Sequence, residues 1–317
     1  MKSSSLGEIM SAGAEHFAPA QNLLAIDKNG IALKTIGKIP RRSANHETHA
    51  QIPSKGWKIE NRWIDFIPYQ SNPEIKSPEN GLIYNTNNRL VSKKFPDHIS
   101  YDYGDTQRHL RLKKLLNNRS VHTLDSFIEY QQDIISPTAQ TILPIVASNL
   151  WTKLTTQTEN NFSSIEETAL TLLLDWNGEM SKYLPEPLIY TAWMRNLQKE
   201  TIQDELKELT NYFSKFNPDF IKRVFLSSEK KHVWCDIIFT ESLENCEKIA
   251  EISFRKTIKE LSVIHGEKPE IWQWGSVHQA MHRHSALGNS PILDIIFNIK
   301  HSFSGGDVSY THIRAHE

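Results

Sequence analysis

Proline and glycine govern what the first third of this chain can become. Between Asn22 and Pro96 the sequence is interrupted at Asn29-Gly30, Gly37, Pro40, Pro53, Gly56, Pro68, Pro73, Pro78 and Gly81, with short apolar or β-branched runs between. Proline fixes φ and removes a backbone donor, and glycine is costly inside a helix, so this spacing predicts short strands with tight connections and no long helix. Leu23-Leu24-Ala25-Ile26 reads as a buried strand, Asp27-Lys28-Asn29-Gly30 as a turn, and Ile31 to Ile36 as the returning strand of a hairpin.

From about Asp105 to Asn217 the apolar period becomes helical. Leu110, Leu112, Leu115 and Leu116 fall on one side of a segment whose other side carries Arg108, Arg111, Lys113 and Lys114. Thr123 starts a second helix through Leu124, Phe127, Ile128 and Ile134. Ser164 with Glu167 has the spacing of a capping box, and Pro185 and Pro187 open a helix through Leu188, Ile189, Trp193, Met194 and Leu197. The last hundred residues combine a predicted strand, Val233 to Phe239, a charged helix from about Ser242 to His265, and a loop-rich tail. The expectation is an α+β chain in three zones: β-rich over 1–104, helical over 105–217, and mixed over 218–317.

Composition bounds the function. The 317 residues are 38% hydrophobic and carry a net charge of −1, enough for a buried core and no reason to expect nucleic acid or a membrane as partner. No run of about eighteen apolar residues is present to span a bilayer. Met1-Lys2-Ser3-Ser4-Ser5 lacks the apolar core of a secretory signal, so the expected location is the cytoplasm. Cys235 and Cys246 show neither a Cys-x-x-Cys pattern nor histidine spacing and read as ordinary thiols. The basic stretch between Lys93 and Lys114 reads as solvated helix surface. His278, His282 and His284 suggest a metal site, because positions 278 and 282 share a face if helical; without a fourth ligand they read as core or surface histidines.

Asn22 is the first candidate for chemistry. At the head of a strand its amide can donate into a pocket and stabilise a developing oxyanion, or it can satisfy turn backbone, and its position leaves both roles open.

A longer pattern surrounds it. Pro19-Ala20-Gln21-Asn22, Asp27-Lys28-Asn29-Gly30, Gly37-Lys38-Ile39-Pro40-Arg41-Arg42, Gly56-Trp57, Trp63 to Pro68, Asn72-Pro73 and Pro78 to Asn88 follow one another in this order. The series resembles the penicillin acylase family of N-terminal nucleophile hydrolases, which includes acyl-homoserine-lactone acylases. The similarity continues through Phe95-Pro96, Arg108 to Leu116, Gln131 to Ser136, Leu173 to Met180, Trp272 to His278 and Gly305-Gly306-Asp307, so it covers most of the chain and is strongest before Asn88.

The resemblance implies a partial α/β/β/α sandwich with a helical subdomain, and hydrolysis of a linear amide by acyl transfer. It implies that Asn22 is the oxyanion donor and that Arg42, rather than Arg41, orients polar groups around the nucleophile. It also implies a nucleophilic serine some two hundred residues before the Asn22 motif, outside this chain, with both ends cut. Ser148-Asn149-Leu150-Trp151 looks like the family's nucleophile motif but lies in a helical zone, far downstream of the residues it should precede. The expected partner is a separately encoded upstream amidase polypeptide, and the expected substrate a small acylated amide. The alternatives are a catalytically dead remnant and a binding or scaffold protein. Relatives commonly bind calcium through ligands mostly outside the matching region and are typically periplasmic or secreted, so no metal ligand is assigned here.

Overall fold

The Asp27–Gly30 turn is where sequence most directly becomes structure. A computed structural model describes residues 3–92, 94–101, 103, 106–156, 161–227 and 231–306. In it β1 (Gln21–Asp27) and β2 (Gly30–Ile36) pair antiparallel from Gln21↔Ile36 to Asp27↔Gly30. One Asp27 carboxylate oxygen accepts from the N–H groups of Asn29 (2.7 Å) and Gly30 (3.1 Å), and the other accepts from the Leu6 N–H (2.9 Å). These donors, Leu6 foremost, hold the Asp27 carboxyl below the usual carboxylate range.

The Leu6 contact starts α1 (Leu6–Ala12), capped by Ser5, which lays Leu6 and Met10 on Ala32 with Ile9, Leu23 and Ala25 beside them. Strand alternation then leaves Leu24 53% and Ile26 78% exposed, so β1 is not the buried strand that its apolar run predicts. It is an edge strand, and α1 covers one of its faces. β3 (Pro40–Arg42) and β4 (Trp63–Phe66) form a separate antiparallel ladder, while β5 (Glu74–Lys76) returns to the far side of β2 and completes the order β1-β2-β5.

The chain divides into two compact units, Met1–His109 and Leu110–Glu317. After α2 (Gln107–Asn117) and α3 (Leu124–Gln131), the second unit is built on α4 (Pro137–Thr156), α5 (Ser164–Asp175), α6 (Glu186–Leu206), α7 (Pro218–Leu226), α8 (Lys231–Cys235) and α9 (Cys246–His265). Their apolar faces close around Trp193, Phe254, Leu150, Leu170 and Ile189. Trp193 donates its indole N–H to Ser253 Oγ at 3.1 Å and meets the edge of Phe254 with ring centres 5.0 Å apart, which satisfies its one polar atom inside the core. A final two-stranded ladder joins β6 (Gln279–His282) to β7 (Ile299–Ser302) across α10 (Pro291–Phe297). Antiparallel ladders without parallel crossovers, alongside a large helical body, make this the α+β class.

Four local expectations need correction. The cap of α5 sits one residue earlier than Ser164 and Glu167: the Ser163 N–H donates to the Glu166 carboxylate at 2.7 Å. Ile134 lies beyond the end of α3. Val233 to Phe239 is not a strand; its first residues finish α8, where Trp234 packs edge-on against Phe220, and the rest is a turn. Cys235 and Cys246 are joined in a disulfide that ties the end of α8 to the start of α9. Met1-Lys2, Lys93, Asp105, Asp307 and the tail from Val308 lie outside the described residues. No helix among the described residues is long and apolar enough to cross a membrane.

Candidate functional site

Asn22 stands opposite Thr35 in the β1–β2 register, and the two side chains meet. The Thr35 hydroxyl donates to Asn22 Oδ1 at 2.9 Å, which fixes the orientation of the amide. Asn22 is exposed, and its Nδ2 donates to none of the described residues. The buried Thr35 is itself held: its N–H donates to the Pro73 carbonyl at 2.9 Å, and its carbonyl accepts from Asn72 Nδ2 at 2.9 Å. Asn72 Nδ2 also donates to the Gly37 carbonyl at 3.2 Å. Gly37 has φ 93°, and a Cβ there would sit 2.8 Å from the Ala20 Cα, so the turn between β2 and β3 admits only glycine. The Asn-Pro and Gly-x-x-Pro pieces of the motif therefore act together, and what they position is the end of β2.

The two arginines that follow sit at a register shift of the β3–β4 ladder and differ in their partners. Arg41 Nε donates to Asp97 Oδ1 at 3.1 Å and is neutralised. Arg42 is half-buried and makes no hydrogen bond or ion pair among the described residues. It lines a cleft of about 250 Å³ together with Arg41, His49, Ile64, Asp97, His98 and Tyr101. Burial, and then the Arg42 guanidinium, hold the His98 imidazole below the usual histidine range. Asn22 is not among the residues lining this cleft.

The downstream segments of the motif converge on one another. Ser136 N–H donates to the Gly178 carbonyl (2.8 Å), Met180 N–H to the Ile134 carbonyl (2.9 Å) and Gly305 N–H to the Met180 carbonyl (2.6 Å), while the Trp274 indole donates to the Gly305 carbonyl (2.8 Å). His278 stacks on Trp274 with ring centres 4.6 Å apart, and its Nδ1 lies 3.0 Å from the Phe303 carbonyl. His282 ends strand β6 and His284 lies past it, so no helical face unites the three histidines. Among the described residues no group of three His, Cys, Asp or Glu side chains is placed to hold a metal ion. Ser148 lies inside α4, with its hydroxyl 3.5 Å from the Ile145 carbonyl. A second cleft, of about 360 Å³ between Trp151, Trp176, Gln140 and Leu173, contains no titratable group.

Sequence reading misses Thr35 and His98. The signal for Thr35 is the antiparallel register, since a four-residue Asp-x-x-Gly turn places position 22 opposite position 35. For His98 no local signal exists, because the cleft depends on a loop some fifty-six residues beyond Arg41 folding back on it.

With this geometry in view, the similarities fall into place. A family model for penicillin amidase matches residues 1–316. Acyl-homoserine lactone acylase QuiP of Pseudomonas syringae pv. tomato is 22% identical over 303 residues, which covers 90% of this chain and 35% of that protein. Penicillin G acylase of Escherichia coli is 29% identical over 103 residues, 31% of this chain and 12% of that protein. Among solved structures, thermostable penicillin G acylase from Alcaligenes faecalis superposes with a TM-score of 0.66 at 16% identity, over 96% of this chain and 58% of that one. The likeness is one of fold, and the chain spans about a third of the length of the acyl-homoserine lactone acylases it matches. On a match running through nearly every residue, the chain belongs to the penicillin amidase family.

Proposed function

We propose that this chain supplies the oxyanion-stabilising part of an acyl-transfer site that hydrolyses the C–N bond of a linear amide. The observation that carries the reading is the Thr35–Asn22 hydrogen bond. By occupying Asn22 Oδ1 it leaves the amide only as a donor, and a donor fixed before the reaction needs no reorganisation when charge develops on the substrate oxygen. A nucleophile's hydroxyl adds to the amide carbonyl while a base takes its proton, the tetrahedral oxyanion accepts from Asn22 Nδ2, the C–N bond breaks as that proton passes to the leaving amine, and water then cleaves the acyl ester to the acid and restores the hydroxyl. The family resemblance gives Arg42, which has no acidic partner among the described residues, the part of orienting polar groups around the nucleophile, from a cleft that Asn22 does not line.

The nucleophile in this reading comes from a second amidase polypeptide. Ser148 is unsuited, because its helix holds the hydroxyl against a backbone carbonyl. The Cys235–Cys246 disulfide supports an oxidising compartment as the working location instead of the cytoplasm.

The test is reconstitution. The full chain is mixed with a polypeptide carrying the family's serine segment, and release from a chromogenic amide is followed. Turnover that falls roughly 100-fold in kcat for Asn22→Ala, with binding retained, is expected for a lost oxyanion donor. Turnover unchanged by Asn22→Ala overturns the assignment of Asn22, and a folded complex without turnover points to a remnant or a scaffold.

A further inference from the structure

An unusual set of carboxylates lies where α6 ends. Asp204 is 7% exposed, and its Oδ2 accepts the Ile238 N–H at 2.9 Å. Glu205 follows it, with both carboxylate oxygens buried and neither given a hydrogen-bond donor. Burial first, then Asp204 beside it and Asp236 across from it, push the Glu205 carboxyl up to about 7.

The neighbouring segment is a loop closed on itself. Residues 236–245 run between Cys235 and Cys246, and the disulfide fixes both ends. Inside the loop the Glu244 carboxylate accepts the Ile237 N–H (3.0 Å) and the Thr240 and Ser242 hydroxyls (2.8 Å each), while Asp236 Oδ1 accepts the Glu244 N–H (3.2 Å). Glu244, so furnished with donors, is held below the usual carboxylate range. Among the described residues, the hydrogen bond from the loop to α6 is that of the Ile238 N–H to Asp204 Oδ2.

Among the described residues no cation pairs with either acid. None of the ion pairs among the described residues includes Asp204 or Glu205, and the cation that α9 sends to α6, Lys256, is taken by Glu200 at 2.5 Å. Lys207 and Glu208 follow after a left-handed turn at Lys207 (φ 49°), and neither acts on the Glu205 carboxyl. Two adjacent acids withdrawn from water without a counter-charge are favourable only if they hold one proton between them.

We propose that Asp204 and Glu205 share a single proton and together form a pH-sensitive latch that holds the disulfide-closed 236–245 loop on the end of α6. When the latch is closed, the Glu205 carboxyl O–H donates to Asp204 Oδ1, leaving Oδ2 for Ile238. When the proton leaves to solvent, two carboxylates face each other with Asp236 nearby, Asp204 turns from its neighbour, and the Ile238 N–H loses its acceptor. The device is independent of the acyl-transfer reading, because it lies in the second unit and uses none of its residues.

Hydrogen exchange on the full chain tests it. The protection factor of the Ile238 amide should fall about fivefold or more between pH 6 and pH 8, with Leu197 in the middle of α6 as the internal control. Glu205→Gln, whose amide donates to Asp204 at every pH, should remove that dependence, and Asp204→Asn should remove it while lowering the Glu205 midpoint. A carbon NMR titration of Glu205 reads the second effect directly. Ile238 protection that is level across pH in the parent chain, an unchanged fall in Glu205→Gln, or a Glu205 midpoint below about 5 overturns the proposal.

Discussion

Replacing Asn72 reports on the support beneath the candidate site. Its Nδ2 donates to the carbonyls of Thr35 (2.9 Å) and Gly37 (3.2 Å), and the residue is 3% exposed. Asn72→Ala removes both bonds and leaves two carbonyls without that donor; at about 1–1.5 kcal/mol each, the loss is roughly 2–3 kcal/mol. Against this, Asn72 Oδ1 is buried without a partner, and deleting it returns up to about 1 kcal/mol, so the net cost is about 2 kcal/mol. Asn72→Asp should cost more than alanine, because it turns an acceptor-only group toward two carbonyl oxygens. The measurement is hydrogen exchange in the β1–β2 ladder, where about 2 kcal/mol appears as roughly a 30-fold loss of protection at Leu33 and Thr35. An alanine variant within threefold of the parent, or an aspartate variant better protected than alanine, refutes the reasoning.

Two further outcomes follow from the same structure. Reducing the Cys235–Cys246 disulfide frees a loop of about a dozen residues, and the chain-entropy relation gives a loss of about 3 kcal/mol, read as a lower urea midpoint for the helical unit in reductant than in air. Burial and Arg42 depress the His98 imidazole, so in the folded state it protonates at lower pH than in the unfolded chain; the stability this provides is present above pH 6.5 and is lost as pH falls through the folded midpoint. Proton NMR should place the His98 midpoint under 6.5, and Arg42→Gln should move it upward; a midpoint at or above 6.5 rejects the cleft geometry.

How far sequence could reach depended on how local each determinant is. The hairpin was legible because Asp27 and Gly30 complete their own turn, with every hydrogen bond inside four residues apart from the one to Leu6. The longer helices were legible because α6 and α9 repeat apolar residues at helical spacing for twenty positions or more. The burial of β1 was not, since which side of Leu23 to Ile26 is covered depends on α1, and a run of four apolar residues has no alternation from which to read it. Val233 to Phe239 failed for a related reason: a seven-residue apolar run fits helix or strand equally, and the disulfide to Cys246 with the Trp234–Phe220 contact decided the matter.

Arg41 and Arg42 show the limit most clearly. Side by side, chemically identical and lining one cleft, they differ because Asp97 accepts from Arg41 while Arg42 has no acidic partner among the described residues. Composition and spacing carry no trace of that pairing, so family resemblance alone prefers the second arginine. The geometry gives that preference a physical content it lacked: a guanidinium bound to Asp97 has its charge and donors committed, whereas one facing an imidazole kept neutral beside it can still act on an anion or a polar group brought to the cleft. Asp97→Asn should therefore make Arg41 a second free guanidinium in the same cleft and depress the His98 midpoint further, and an upward movement of that midpoint would refute this electrostatic account of the cleft.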